Sequence, residues 1–255
     1  MRKALLGLGG VAVLLVLLEL VPRTSLVDER YLPPFSEMAG ALGDSANTGE
    51  FWQALADTLQ TWGLGLVLAF VAATAAGMAI GSVSALREAT ASTIEFLRPI
   101  PAVALIPLAV LLYGTGMEAT LILVVYSSFW QVLVQVLAGV GDIDPVARDT
   151  ARSFRFRRRT RALRLAWPTT LPYAVTGFRL AASVALILTI TGELIIGTPG
   201  LGRLIAVAQT SGAIAPMYAF VIVTGLLGVT VNVLARLLER RVLRWHPSVR
   251  EEAAA

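Results

Sequence analysis

The residues of this chain that could do chemistry are few, and most lie inside apolar runs. Glu193 is the only acid within its run, with Thr189 one helical turn before it. Ser127, Ser128, Gln131 and Gln135 share one face of another run, if that run is helical, at spacings of i, i+3/i+4 and i+7/i+8. Polar groups at membrane depth line a path or cavity, or hydrogen-bond to a neighbouring helix. Both readings fit the serine and glutamine face. Glu193 can gate, pair with a basic residue on a neighbour, or cap the turn before Gly197 near the outer end. It is a poor direct ligand for an anion unless protonated or paired. Arg179, one or two turns inside its run, can snorkel to headgroups or meet an anion or a loop acid.

Other chemistries are set aside by what is missing. Cysteine is absent and His246 is the only histidine, which removes disulfides and a His/Cys metal centre. The same scarcity speaks against a membrane enzyme. The only lysine is Lys3, so no G-x-x-x-x-G-K-[ST] loop exists to cradle nucleotide phosphates. If the process runs on ATP, another chain hydrolyses it.

The elements that must hold these residues are membrane spans. The 255 residues are 56% hydrophobic and only 15% charged, where a soluble domain carries about 25%. The apolar residues cluster in long runs, which predicts an all-α, polytopic membrane protein with a single domain over 1–255 and a core over 57–240. Six spans are expected. The first covers 4–22; a cleaved signal peptide competes, but no small-x-small site follows, so an uncleaved span is preferred. A polar, net acidic segment follows, in which Phe35 to Leu42 can form a short interfacial helix. The second span is Asp57 to Leu86. Its Gly65, Ala69, Ala73, Gly77, Gly81 and Ala85 recur every four residues and predict a flat stripe for close helix approach. Arg87 to Arg98 reads as a short charged connection. The third span is Pro99 to Tyr113, kinked at Pro107. The fourth is Ala119 to Val140, the fifth Tyr173 to Gly197, and the sixth Ala215 to Leu238. After the fifth span comes a Gly/Pro-rich piece, and the tail from Glu239 reads as fraying.

Charge orients this arrangement. Seventeen of the 21 basic residues fall on one proposed side, which places both termini in the cytoplasm. The same rule makes the loop 142–168 cytoplasmic. That loop carries eight arginines. Asp144-Pro145 is an N-cap followed by proline at the first helical position. It opens a helix from Val146 to Phe154, and Arg157 to Trp167 forms a second, stopped by Pro168. Such a helix pair can be a lipid-facing element, a topology anchor, or a docking surface for a cytosolic partner.

Within the loop, Asp149-Thr-Ala-x-x-x-Arg155, then nine residues, Leu165-x-Trp167-Pro168 resembles the EAA loop of binding-protein-dependent ABC importer permeases. That pattern is E-A-A, three residues, G, nine residues, I, one residue, L-P. Ala151 and Pro168 match it, Asp149 and Leu165 are conservative, and Thr150, Arg155 and Trp167 depart. The likeness extends to the nitrate, sulfonate and taurine group through Tyr31-Leu-Pro-Pro-x-Ser36 and Leu97-Arg-Pro-Ile-Pro-x-x-Ala-Leu-x-Pro107. Leu171-Pro-Tyr-x-x-Thr-Gly-x-Arg179 and Gly192-Glu193 with Gly200-Leu-Gly202 continue it. It covers roughly residues 31 to 240, and it implies an outer re-entrant turn at Gly197 to Gly202 where a periplasmic-type binding protein would dock.

The resemblance implies a permease subunit of an ATP-driven importer in a bacterial cytoplasmic membrane. Asp149, Thr150, Ala151, Arg155, Leu165 and Pro168 would couple it to a separate dimer of ATPase subunits, which hold ATP and magnesium. This chain would bind no cofactor, metal or nucleic acid. Its further partners would be a second permease copy or a paralogue, an extracytoplasmic solute-binding protein, and membrane lipid. The solute would be small and anionic, passing Ser127, Ser128, Gln131, Gln135, Thr189 and Glu193. An ion-coupled secondary transporter or channel working without an ATPase is the alternative. Arg155 stands where the family has glycine. A turn there needs positive φ, which costs a non-glycine residue energy. Either this turn is built differently or this loop docks less typically.

Overall fold

The computed structural model describes residues 2–24, 28 and 30–245. The tail expected to fray from Glu239 is instead helical through Val242, and its residues 246–255, His246 and Arg250 among them, lie outside the described residues. All regular structure among the described residues is helical. In chain order the helices are α1 (Arg2–Arg23), α2 (Phe35–Ala46), α3 (Gly49–Ser82), α4 (Ser84–Leu97), α5 (Ile106–Tyr113) and α6 (Met117–Gly141). They continue with α7 (Pro145–Ser153), α8 (Arg158–Arg161), α9 (Trp167–Ile196), α10 (Leu201–Thr210) and α11 (Ile214–Val242).

Four helical stretches are long and apolar enough to cross a membrane: α3, α6, α11 and the stretch Arg159–Thr210 that contains α9. The third expected span departs from its reading. The charged connection is itself the helix α4, and the chain then bends by 83° before a 3-10 turn at Ala102–Leu105 and α5. Pro99 and Pro101 cause the break, because neither can donate a helical N–H, while Pro107 sits harmlessly in the first turn of α5. α4 and α5 make a fifth crossing only as one bent unit. α1 coincides with the span expected at 4–22. It has 22 residues, about 33 Å at 1.5 Å per residue. Among the described residues four stretches qualify as spans, five with the bent unit, and α1 is not one of them, so the expected six are not reached.

Helix ends follow local chemistry. Thr48 caps α3 by accepting the Phe51 N–H at 3.4 Å, so the helix starts at Gly49, eight residues before the expected Asp57. Glu19, the acid near the end of the first apolar run, accepts the Ser36 N–H at 2.9 Å and the Ser36 hydroxyl at 3.1 Å. It thereby satisfies the first turn of α2. α2 is the short helix expected at Phe35 to Leu42 and runs one turn longer.

The core is α6 packed between α3 and α9. The small-residue stripe of α3 meets valines of α6. A Cβ added at Gly65 would lie 2.5 Å from Val124 Cγ1, one at Gly77 2.6 Å from Val136 Cγ1, and one at Gly81 2.8 Å from Val140 Cβ. Ala69 and Ala73 are fully buried along the same line. Ala85 does not belong to the stripe: it lies past the break at Val83, exposed on α4. The pairs 65/124, 77/136 and 81/140 rise together, so α3 and α6 run parallel. Those between α6 and α9 run the other way: Gly139 sits against Thr170 and Gly177 against Val132 and Gln135, while Gly192 packs on Thr120. Trp62 Nε1 donates to the Ala182 carbonyl at 2.9 Å, and Phe70 meets Phe178 edge-on at 5.4 Å, so α3 and α9 are antiparallel as well. One end of the bundle therefore gathers the end of α3, the end of α6, the loop, the start of α9 and the end of α11.

Candidate functional site

The loop between α6 and α9 is built as two joined helical pieces. Asp144 caps α7 by accepting the Val146 N–H at 2.8 Å, with Pro145 at the first helical position. The helix has two unlike faces. Ala151 is 5% exposed and Ile143 is 7% exposed, so this side lies against the bundle. Val146, Asp149, Thr150 and Phe154 point away from it, Val146 at 71% and Phe154 at 73% exposure. Phe156 continues that apolar surface, 6.4 Å between ring centroids from Phe154. Arg152, Arg155, Arg157 and Arg159 are exposed around it. Asp149 pairs with Arg152 at 3.2 Å, both well exposed, which is worth little.

α7 ends in a Schellman turn with an arginine in the glycine place. The Phe156 N–H donates to the Ala151 carbonyl at 3.0 Å and the Arg155 N–H to the Arg152 carbonyl at 2.9 Å. Arg155 has φ +50°, the only non-glycine positive φ among the described residues. The turn that the resemblance implied is thus formed here, with a strained residue in it.

Pro168 does not stop the second piece. Helix runs from Arg158 without a gap through Ala162–Ala166 into α9. That middle segment is a π turn, in which the Trp167 N–H reaches back to the Ala162 carbonyl. Pro168 has no N–H for the Arg164 carbonyl and its ring crowds that group. Widening the preceding turn accommodates the ring. The Thr169 hydroxyl donates to the Leu165 carbonyl at 2.9 Å. Ala166 is buried and Leu165 packs on the main core, so this piece is the rigid foot of α9. Of the six coupling candidates, Asp149, Thr150 and Arg155 face out, while Ala151, Leu165 and Pro168 set the loop on the bundle.

At the same end lies a cavity of about 540 Å³ lined by Asp142, Pro168, Thr169, Tyr173, Glu239 and Trp245, among others. Tyr173 donates to Asp142 Oδ2 at 2.8 Å and joins the two roots of the loop. Arg179 is paired with Glu239 of α11 at 2.9 Å. The sequence reading offered lipid, an anion or the loop acids as its partner; Glu239, 60 positions away, carries no local signal.

The four polar residues of α6 span an arc of about 100°. Ser128 is fully buried, and its hydroxyl has no partner among the described residues. Ser127 and Gln135 are half-buried, and Gln131 is exposed. The arc therefore runs from the packed interior to an open flank. Thr189 is buried and donates to the Ala185 carbonyl at 2.8 Å.

Glu193 is fully buried at the other end of the bundle. Its Oε2 accepts the Gly202 N–H at 2.9 Å and the Thr58 hydroxyl at 3.0 Å. Thr58 Oγ1 in turn accepts the Leu201 N–H at 2.9 Å. Nearby, the Thr120 and Thr198 hydroxyls are 2.9 Å apart. The expected turn after Gly197 is present and leads into α10, a helix that the Gly/Pro-rich sequence had hidden.

Among the described residues no group of three or more His, Cys, Asp or Glu is placed to hold a metal ion. A family model described as the binding-protein-dependent transport system inner membrane component matches residues 50–244. The nitrate import permease NrtB of Leptolyngbya laminosa is 26% identical over 201 residues, 79% of this chain and 72% of the relative. The taurine transport permease TauC of Escherichia coli K12 is 29% identical over 253 residues, 97% of this chain and 92% of the relative. The crystal structure of an amino acid ABC transporter with histidines shares the fold at a TM-score of 0.64 and 19% identity, covering 78% of this chain and 97% of that one.

Proposed function

The chain belongs to the family of binding-protein-dependent transport system inner membrane components, and on that premise we propose how it is coupled, oriented and loaded. It is a transport subunit in a membrane and not an enzyme. ATP hydrolysis belongs to a separate ATPase, and solute comes on a binding protein.

The loop 142–168 is the ATPase docking element. The observation that carries this is the two-faced build of α7, closed by its Schellman turn and followed, after the turn at 154–157, by a second helical piece that continues through the π turn into α9. A load placed on Val146 and Phe154 passes through the buried Ala151 side of α7 and across the hydrogen-bonded turn to the foot of α9, where a flexible loop would absorb it. Asp149, Thr150 and Arg155 contact the ATPase, and Ala151, Leu165 and Pro168 transmit. ATP and magnesium stay on the ATPase dimer, and this chain binds no cofactor; the absence of any lysine beyond Lys3 supports that. The loop side is cytoplasmic and both termini lie there, in the cytoplasmic membrane of a bacterium. The basic residues concentrated on that side and the end of α11 beside the loop support this.

Two permease copies, identical or paralogous, enclose the path. Gln131 with Ser127 and Gln135 faces it, and Ser128 stands behind them; an exposed amide on a span needs such a neighbour or a cavity. The solute is a small anion-bearing molecule of the nitrate or taurine kind, as the relatives' names suggest. Neutral amides and hydroxyls can solvate an anion without trapping it. Thr189 and Glu193, fully buried inside the bundle, hold the helices beside the path and do not touch the solute.

The reading is tested by Phe154→Asp in the complex co-expressed with its ATPase and purified in detergent. The variant permease should reach the membrane at normal level and lose the ATPase. Retention of the ATPase at wild-type stoichiometry would refute the docking role.

A further inference from the structure

The outer end holds a buried polar knot that the transport reading leaves unexplained. Four helices meet in it: Thr58 from α3, Thr120 from α6, Glu193 from α9, and Leu201 with Gly202 from α10. The first amides of α10 have no carbonyl of their own helix to bond. A residue just before the helix ordinarily caps them, but here that residue is Gly200, which has no side chain to offer. The Leu201 N–H goes instead to Thr58, and the Gly202 N–H to Glu193. A carboxylate at a helix N-terminus also meets the favourable end of the helix dipole.

The glycines are there to admit the carboxyl. A Cβ at Gly200 would fall on the Glu193 carboxyl group, and Gly200 has φ +148° besides. A Cβ at Gly202 would lie 2.7 Å from Glu193 Cβ and 2.9 Å from the Leu194 nitrogen. A Cβ at Gly192 would lie 2.7 Å from Thr120 Cγ2. The pattern Gly192-Glu193, then Gly200-Leu-Gly202, is one device: an acid and three clearances for it and its helix.

We propose that Glu193 is a positioning residue that, with Thr58, caps α10 from outside that helix and holds it against α3 and α9. α10 thereby keeps a fixed pose at the outer end, where the solute-binding protein of the proposed importer docks; this part rests on the reading above. The cap is also incomplete. Glu193 Oε1 is buried and has no partner among the described residues. When α10 moves away, that oxygen gains water, which offsets part of what the two lost hydrogen bonds contributed. The knot therefore holds α10 without locking it, and a docked binding protein can release it.

The experiment uses the full complex in nanodiscs. Because the chain has no cysteine, a spin-label pair at Gln60→Cys on α3 and Gln209→Cys on α10 is unique in it. Pulsed spin-resonance distances are recorded with Glu193, Glu193→Gln, Glu193→Ala and Thr58→Val. Glutamine keeps an acceptor for Gly202, so its distribution should stay single and narrow. Alanine, and valine at 58, should broaden or shift it. In parallel, the ratio of ATPase activity with and without loaded binding protein should fall towards one in Glu193→Ala and stay near wild type in Glu193→Gln. If Glu193→Ala does not assemble, Thr58→Val carries the test alone. Unchanged distances in both Glu193→Ala and Thr58→Val, or Glu193→Gln behaving as alanine, would overturn the proposal. If the wild-type complex shows no stimulation while the distances respond as expected, the importer reading fails and the capping role stands.

Discussion

Replacing Arg155 by glycine should tighten the coupling loop. Arg155 is held at φ +50°, where an L side chain crowds the neighbouring carbonyl. That conformation costs a non-glycine residue about 1–2 kcal/mol, and glycine adopts it freely. Glycine recovers less than the whole, because its unfolded chain has more freedom to lose, at about 0.5–1 kcal/mol. A net gain of about 1 kcal/mol remains if the Arg155 side chain contributes little, and it is exposed at the surface of the loop. Such a gain is about fivefold in a local opening equilibrium. Two amides report it: Phe156, bonded to the Ala151 carbonyl, and Arg155's own position, bonded to the Arg152 carbonyl. Hydrogen exchange of the peptide covering 150–157 in the isolated permease should slow about fivefold in Arg155→Gly. Arg155→Val should exchange faster than wild type, since a β-branched side chain suits this conformation least. Equal exchange in wild type and Arg155→Gly would mean that the residue carries no strain and that the Schellman turn is not what closes α7.

Gly77→Val should overpack the contact with Val136, where even a Cβ would stand 2.6 Å from Cγ1. A loss of about 1–3 kcal/mol is expected, read as a lower melting temperature in detergent. Gly200→Ala should be at least as harmful, since it combines an unfavourable φ with a collision at Glu193; size-exclusion profiles should show loss of the monodisperse peak. Arg179→Gln and Glu239→Gln should each destabilise, and the double variant should cost less than the sum of the two, with a coupling of about 1 kcal/mol that shrinks with added salt.

Much of the bundle was legible because its signals are local. Apolar runs marked α3, α6, α9 and α11, and a proline after an aspartate marked the start of α7. The four-residue repeat of small residues found the face of α3 that meets α6, though not the break at Val83 that strands Ala85. Glycine's usual place in the loop identified Arg155 as the turn residue, and the structure shows the turn made at that position regardless. Pro168 misled because its rule is about α-helical turns, and a π turn ahead of it satisfies the same backbone in another way. Ser128 and Gln131 share a helical face on paper but lie on its packed and open edges, which only the placement of α9 decides. Thr58 and Glu193 are 135 positions apart, and Arg179 and Glu239 are 60 apart. No periodicity or motif in a single sequence links residues at such distances. The acid and glycines around position 200 were visible as a pattern, but their purpose appears only with α10 in place.

The central claim is that the outward face of α7 is where an ATPase sits. The absence of cysteine makes that measurable with Phe154→Cys as the sole thiol of the permease. Its rate of reaction with a water-soluble maleimide is compared in the isolated permease and in the complex with the ATPase. The 73% exposure of Phe154 gives a fast rate for the permease alone. In the complex the rate should fall at least tenfold, while a control at exposed Gln209→Cys on α10 keeps its rate. Equal reactivity at position 154 in the two samples would contradict the account.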